Sequence, residues 1–81
     1  VPDLAAVIAS NVRGERARRK WRQADLAARL SVAQTTVSGI ESGEREIGVR
    51  MLPALCRAFG VPLADLVRGA DEDDLRAMGL L

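Results

Sequence analysis

The stretch "AQTTVSGIESGE", Ala33–Glu44, decides how the rest of the chain is read. Its paired threonines and valine favour strands, and its two glycines weaken a helix. Alternation fails, however: Gln34, Thr36, Ser38 and Ile40 form no apolar face. Val37 and Ile40 stand three apart, which predicts a helix with one narrow buried stripe. Just upstream, "QADLAARL" (23–30) predicts a short helix with Leu26, Ala27 and Leu30 inward, separated from the first by "SVA".

Working outward, Leu4, Val7, Ile8 and Val12 recur at helical spacing and predict a first helix from Leu4 to about Arg19. Asp3 can cap its start, and Arg18, Arg19 and Lys20 suit its C-terminal end. Downstream, "SGEREIG" reads as a turn, with Gly43 closing the third helix. A fourth helix carries Leu52, Leu55, Cys56 and Phe59 inward and stops at Gly60. Pro53 requires it to start later than Gly48 or to have an irregular first turn. Pro62 opens a fifth short helix ending at Gly69. Then "ADEDDLRAMGLL" turns acidic and then apolar.

The 81 residues allow one modest core, mostly of Ala, Leu and Val, with Trp21 and Phe59 as the only aromatics. There is no histidine and a single cysteine, Cys56, which reads as a small core residue. An internal disulfide, a Cys/His zinc site and Ser-His or Cys-His nucleophile pairs are therefore excluded. No phosphate-binding glycine loop occurs, and "DEDD" lacks the spacing of a calcium loop. The expectation is a protein without enzymatic activity, metal or cofactor. No stretch is apolar and long enough to span a membrane, and the N-terminal residues lack the basic start of a signal peptide, so a cytoplasmic location is expected.

Net charge is only +1, but seven cations lie between Arg13 and Arg29 against Glu15 and Asp25. Acids gather at Asp71–Asp74, so the molecule is expected to be bipolar. Arg18, Arg19, Lys20 and Arg29 read by default as solvated surface.

Five short helices with a tight turn between the second and third suggest a helix-turn-helix. Counted from Gln23, Ala27 falls where the two helices need a small residue, and Val32, Val37 and Ile40 fall at apolar core positions. "IESGER" closes the third helix, and "LPALCRAFGVPLADL" (52–66) fills a fourth and fifth. This pattern resembles the Cro/C1-type helix-turn-helix family, which includes phage repressors and many small bacterial regulators. The match runs from about Val12 to Leu66.

The resemblance implies an all-α, lambda repressor-like bundle that binds double-stranded DNA as a transcriptional regulator, in the repressor manner, with the third helix in the major groove. It places Gln34, Thr35, Thr36, Ser38 and Gly39 on the face offered to base edges. Gln23 matches a phosphate-holding position, and Arg13, Arg22 and Arg45 are further phosphate candidates. Arg16 and Glu41 match an internal ion pair joining the first helix to the third. Trp21 stands where the family usually has leucine, which implies a place in the core or at its edge. Gly39, costly in mid-helix by about 1 kcal/mol, fits either close approach to DNA or a tight helix crossing.

Departures are visible too. Lys20 and Ser31 stand where the family often has glycine, and Arg22 and Ala33 replace the usual Ser/Thr caps. Glu44 and Glu46 flank Arg45, which weakens attraction to phosphate. Residues 1–69 are expected to form the DNA-binding domain. The tail, 70–81, is expected to be a short extra helix, a frayed end or a dimer contact through Leu75, Met78, Leu80 and Leu81. A homodimer is expected. An antitoxin-like or protein-interaction module, with a protein partner held by the tail, is the alternative on the same fold.

Overall fold

A computed structural model describes residues 3–81. Six helices follow one another: α1 (Leu4–Arg18), α2 (Gln23–Leu30), α3 (Gln34–Ser42), α4 (Met51–Phe59), α5 (Leu63–Leu66) and α6 (Glu72–Ala77). Five were expected; the sixth lies in the acidic-apolar tail. Asp71 precedes it, and Glu72, Asp73 and Asp74 fill its first turn, where carboxylates complement the free N–H groups. Leu75 and Leu80 then pack against the core, while Met78 and Leu81 stay exposed. So half of the tail's apolar residues do find a core to join.

The core is the meeting point of all the longer helices. Val12, Leu26, Val37, Leu55 and Leu66 contribute one essentially fully buried side chain each from α1 to α5. Ala27 is buried beside them, as close approach of α2 and α3 demands. Pro53 ceases to be awkward because α4 begins at Met51, leaving the proline in the first turn, where no N–H is needed. Cys56 is half-buried, and burial raises its thiol pKa.

Helix boundaries follow local chemistry. The Asp3 carboxylate accepts the Ala5 N–H at 3.3 Å and caps α1. At α2, Arg22 has no acceptor to offer, and Asp25 supplies the compensation. Its carboxylate accepts the Arg22 backbone N–H at 2.8 Å, the reciprocal half of a capping box. That bond lowers the Asp25 pKa. Ala33 gives α3 no side-chain cap.

The two positions where the family often has glycine carry the only non-glycine residues with positive φ among those described, Lys20 (58°) and Ser31 (57°). Both close Schellman-type turns. The Trp21 N–H reaches the Arg16 carbonyl at 3.2 Å, and the Val32 N–H reaches that of Ala27 at 3.0 Å. A left-handed non-glycine residue costs about 1–2 kcal/mol. Glycine returns about 0.4–1 kcal/mol of that through a freer unfolded chain. Ser31→Gly is therefore expected to stabilise by roughly 0.5–1 kcal/mol, a Tm rise of a few degrees. Ser31→Ala, which keeps the strain, should give no such rise in the same thermal scans.

Candidate nucleic-acid interface

The α3 helix divides its residues by face. Val37, Ile40 and Glu41 are buried; Gln34, Thr35 and Ser38 are exposed, and Thr36 and Gly39 are half-exposed. None of the side chains of Gln34, Thr35, Thr36 and Ser38 hydrogen-bonds to another described residue. This outer face carries donors, acceptors and methyl groups that do nothing for the fold.

The inner face is fixed by one carboxylate. Glu41, 3% exposed, accepts from Arg16 Nε at 2.7 Å and Arg16 Nη2 at 3.0 Å, a bidentate pair across α1 and α3. The remaining guanidinium nitrogen of Arg16 donates to the Trp21 carbonyl at 2.8 Å, tying in the α1–α2 turn. The hydrogen bond that Arg16 donates to Glu41 raises the Arg16 pKa above its ordinary value. The pairing expected between these two residues is thus present, and a third member joins it. Gln23 Nε2, at the start of α2, donates to Glu41 Oε1 at 3.1 Å.

The other phosphate candidates are distributed as follows. Arg13, on α1, donates to the backbone carbonyl of Glu41 and so closes the C-terminal end of α3. Arg22 is exposed beside α2, 3.6 Å from Asp25. Arg45 is exposed on the turn after α3, and its N–H reaches the Gly39 carbonyl at 3.2 Å.

Two cations expected as solvated surface are structural. Arg19 donates to Glu15 Oε1 at 2.8 Å and to the Phe59 carbonyl at 2.6 Å, with its guanidinium 5.0 Å from the Phe59 ring centre. Arg29 lies 3.9 Å from the Trp21 ring centre, on the tryptophan that stacks on Phe59 at 5.8 Å. Cation–π contact and the buried Glu15 hold them where simple charge counting sees free arginines. Trp21 is a core-edge residue, as expected.

Sequence reasoning missed Glu15, Asn11 and the Gln23–Glu41 bond. Asn11 Nδ2 donates to the carbonyls of Leu66 at 2.7 Å and Arg68 at 3.0 Å, clamping the end of α5 to α1. Glu15 carried a signal, since Arg18 and Arg19 follow it at i+3 and i+4. Asn11 carried none, because its partners are backbone atoms 55 and 57 residues away.

A bundle in which a pinned helix turns an unused polar face outward, beside a second helix and a tight turn, defines a helix-turn-helix domain. The chain belongs to the helix-turn-helix family, whose pattern matches residues 12–66. Among solved structures, it is similar to a hypothetical transcription factor from Neisseria, at 30% identity over 94% of this chain and 86% of that one, TM-score 0.78. It is also similar to the clp gene regulator ClgR from Corynebacterium glutamicum, at 26% identity over 95% and 92%, TM-score 0.75. A restriction-modification controller protein shares the fold at 21% identity over 86% and 98%, TM-score 0.72. Family and regulator neighbours make this a DNA-binding transcriptional regulator. Among the described residues no helix is long and apolar enough to cross a membrane.

Proposed function

We propose that the protein is a sequence-specific repressor that binds double-stranded DNA as a homodimer. In this reading α3 enters the major groove and α2 lies across the backbone. The observation that carries it is the two-faced α3, with Glu41 pinned to Arg16 on one side and Gln34, Thr35 and Ser38 uncommitted on the other. Gln34 pairs bidentately with adenine N6 and N7, and the Thr35 methyl meets a thymine methyl. Thr36, Ser38 and Gly39 complete the face. Gln23, Arg13 and Arg22 surround it as phosphate contacts. Occupancy alone then suffices for repression, in the cytoplasm where the DNA is.

One domain covers few base pairs, and symmetric half-sites about 34 Å apart supply the rest. Residues 1–69 serve as the DNA-binding domain and 70–81 as the contact between copies. Met78 and Leu81, exposed at the end of the tail, favour that role. They equally suit the protein partner of an antitoxin-like module.

Selection of sites from a random duplex pool tests the proposal. The expected product is a palindrome bound with steep salt dependence. Gln34→Ala should lose roughly 5- to 100-fold discrimination at one A·T pair, whereas Gln23→Ala should weaken all sequences alike. If the pool yields no site, or if both variants bind a selected site as the parent does, α3 is not the reading helix. Sedimentation of the purified chain with and without its tail partner residues (Met78→Ser with Leu81→Ser) reports the dimer.

A further inference from the structure

Gly39 sits in mid-helix on the outward side of α3, where any side chain would project with Thr35, Ser38 and Ser42. The space is not empty. A Cβ placed at Gly39 would lie 3.2 Å from Arg45 Cβ, 3.3 Å from Arg45 Nε and 3.7 Å from Arg45 Cδ. Its nearest neighbours within the domain are therefore atoms of the following turn and not of a crossing helix. The arm of Arg45 folds back from the following turn and lies over the glycine, its own N–H held on the Gly39 carbonyl at 3.2 Å. Thr35, Ser38, Ser42 and Glu44 line the same shallow depression as Gly39 and Arg45.

We propose that Arg45 is a base-reading residue, a guanine reader delivered onto the recognition face from outside the helix, with Gly39 as its seat. The proposal rests on α3 occupying the major groove. Three observations favour a base over a phosphate as its target. The arm lies among the residues of the exposed face, in one depression with Thr35 and Ser38. Glu44 and Glu46 flank it, so the turn carries a net negative charge and is a poor counterion for a polyanion. A guanidinium fork, by contrast, matches guanine O6 and N7 in direction, and directional bonding survives an acidic neighbourhood that diffuse attraction does not.

The seat also explains why a helix tolerates glycine there. Alanine would favour the helix, but its methyl would press on Arg45 at contacts tighter than ordinary van der Waals distance. Gly39→Ala is thus expected to separate stability from specificity.

The test is site selection with the full chain, followed by titration of the selected duplex, its single-base variants and random duplex at several salt concentrations. The parent should select one guanine per half-site that Arg45→Ala no longer prefers, a loss of about 10- to 100-fold at that position alone. Binding of Arg45→Ala to random duplex and its salt slope should stay near the parent's. Arg45→Lys should also lose the guanine preference, since an ammonium lacks the fork. Gly39→Ala should melt no lower than the parent and still show a weakened preference at the same guanine. A uniform loss across sequences, with the salt slope reduced by about one, would make Arg45 a phosphate contact and overturn the proposal. So would a Gly39→Ala protein that keeps the guanine preference in full. Loss of discrimination in Gln34→Ala but not in Arg45→Ala overturns this proposal alone. No effect of either, or no selected site, overturns the groove placement with it.

Discussion

Arg16→Met is expected to destabilise the domain by about 3–5 kcal/mol. The loss comes from what remains. Glu41 is 3% exposed and keeps only Gln23 Nε2, a neutral donor at 3.1 Å, in place of a bidentate guanidinium. A carboxylate stranded in a small core costs far more than the intact pair contributes, since desolvation is no longer offset by attraction. The Trp21 carbonyl loses its 2.8 Å partner at the same time. Arg16→Met combined with Glu41→Leu should therefore recover much of the stability, because an apolar pair of similar volume avoids burying charge altogether. Urea denaturation of the two single variants and the double closes the cycle. A loss under about 1 kcal/mol for Arg16→Met would mean that water screens the pair.

The recovered double variant has a second use. Without the carboxylate, Gln23 loses the acceptor that fixes its side chain at 3.1 Å, and α3 loses its polar anchor to α1. The double variant should fold yet bind DNA more weakly than its folded fraction explains. Stability and positioning, fused in the single variants, come apart there.

Residues with local or periodic consequences were legible from sequence, and those with distant backbone partners were not. Asp3, Gly43 and Gly60 announce helix ends within a few residues of themselves, and the structure has them there. Ser31 and Lys20 were legible as departures, and positive φ is what the departure costs. The buried stripe of α3 followed from the spacing of Val37 and Ile40, and its outer face from the family resemblance. By contrast, the α6 segment left a short helix, a frayed end and a dimer contact open because its helix signal is only one turn long, and Leu75 and Leu80 gain their meaning from a core built elsewhere. The Arg45 arm over Gly39 was equally hidden. Sequence marks the glycine as expensive, but only the return of the chain after Gly43 shows what fills its place.

Leu66→Ala is expected to cost about 3–4 kcal/mol, within the range for a fully buried leucine, from a domain whose whole stability is of order 4–12 kcal/mol. The effect should also be lopsided. A four-residue helix has no stability of its own, so α5 stays in place through Leu66, Val67 and the Asn11 clamp on the carbonyls of Leu66 and Arg68. Removing the leucine side chain weakens the hold on α5 and on the tail that follows it, while the α2–α3 contact through Ala27 and Val37 is untouched. Amide exchange should consequently accelerate first over residues 63–80, with α2 and α3 still protected to the global limit. If the tail joins two copies, as proposed, binding of Leu66→Ala to a palindromic operator should fall by more than the unfolded fraction accounts for. Its binding to a single half-site should stay near the parent's. Equal losses on both duplexes would instead place the dimer contact outside α5 and the tail.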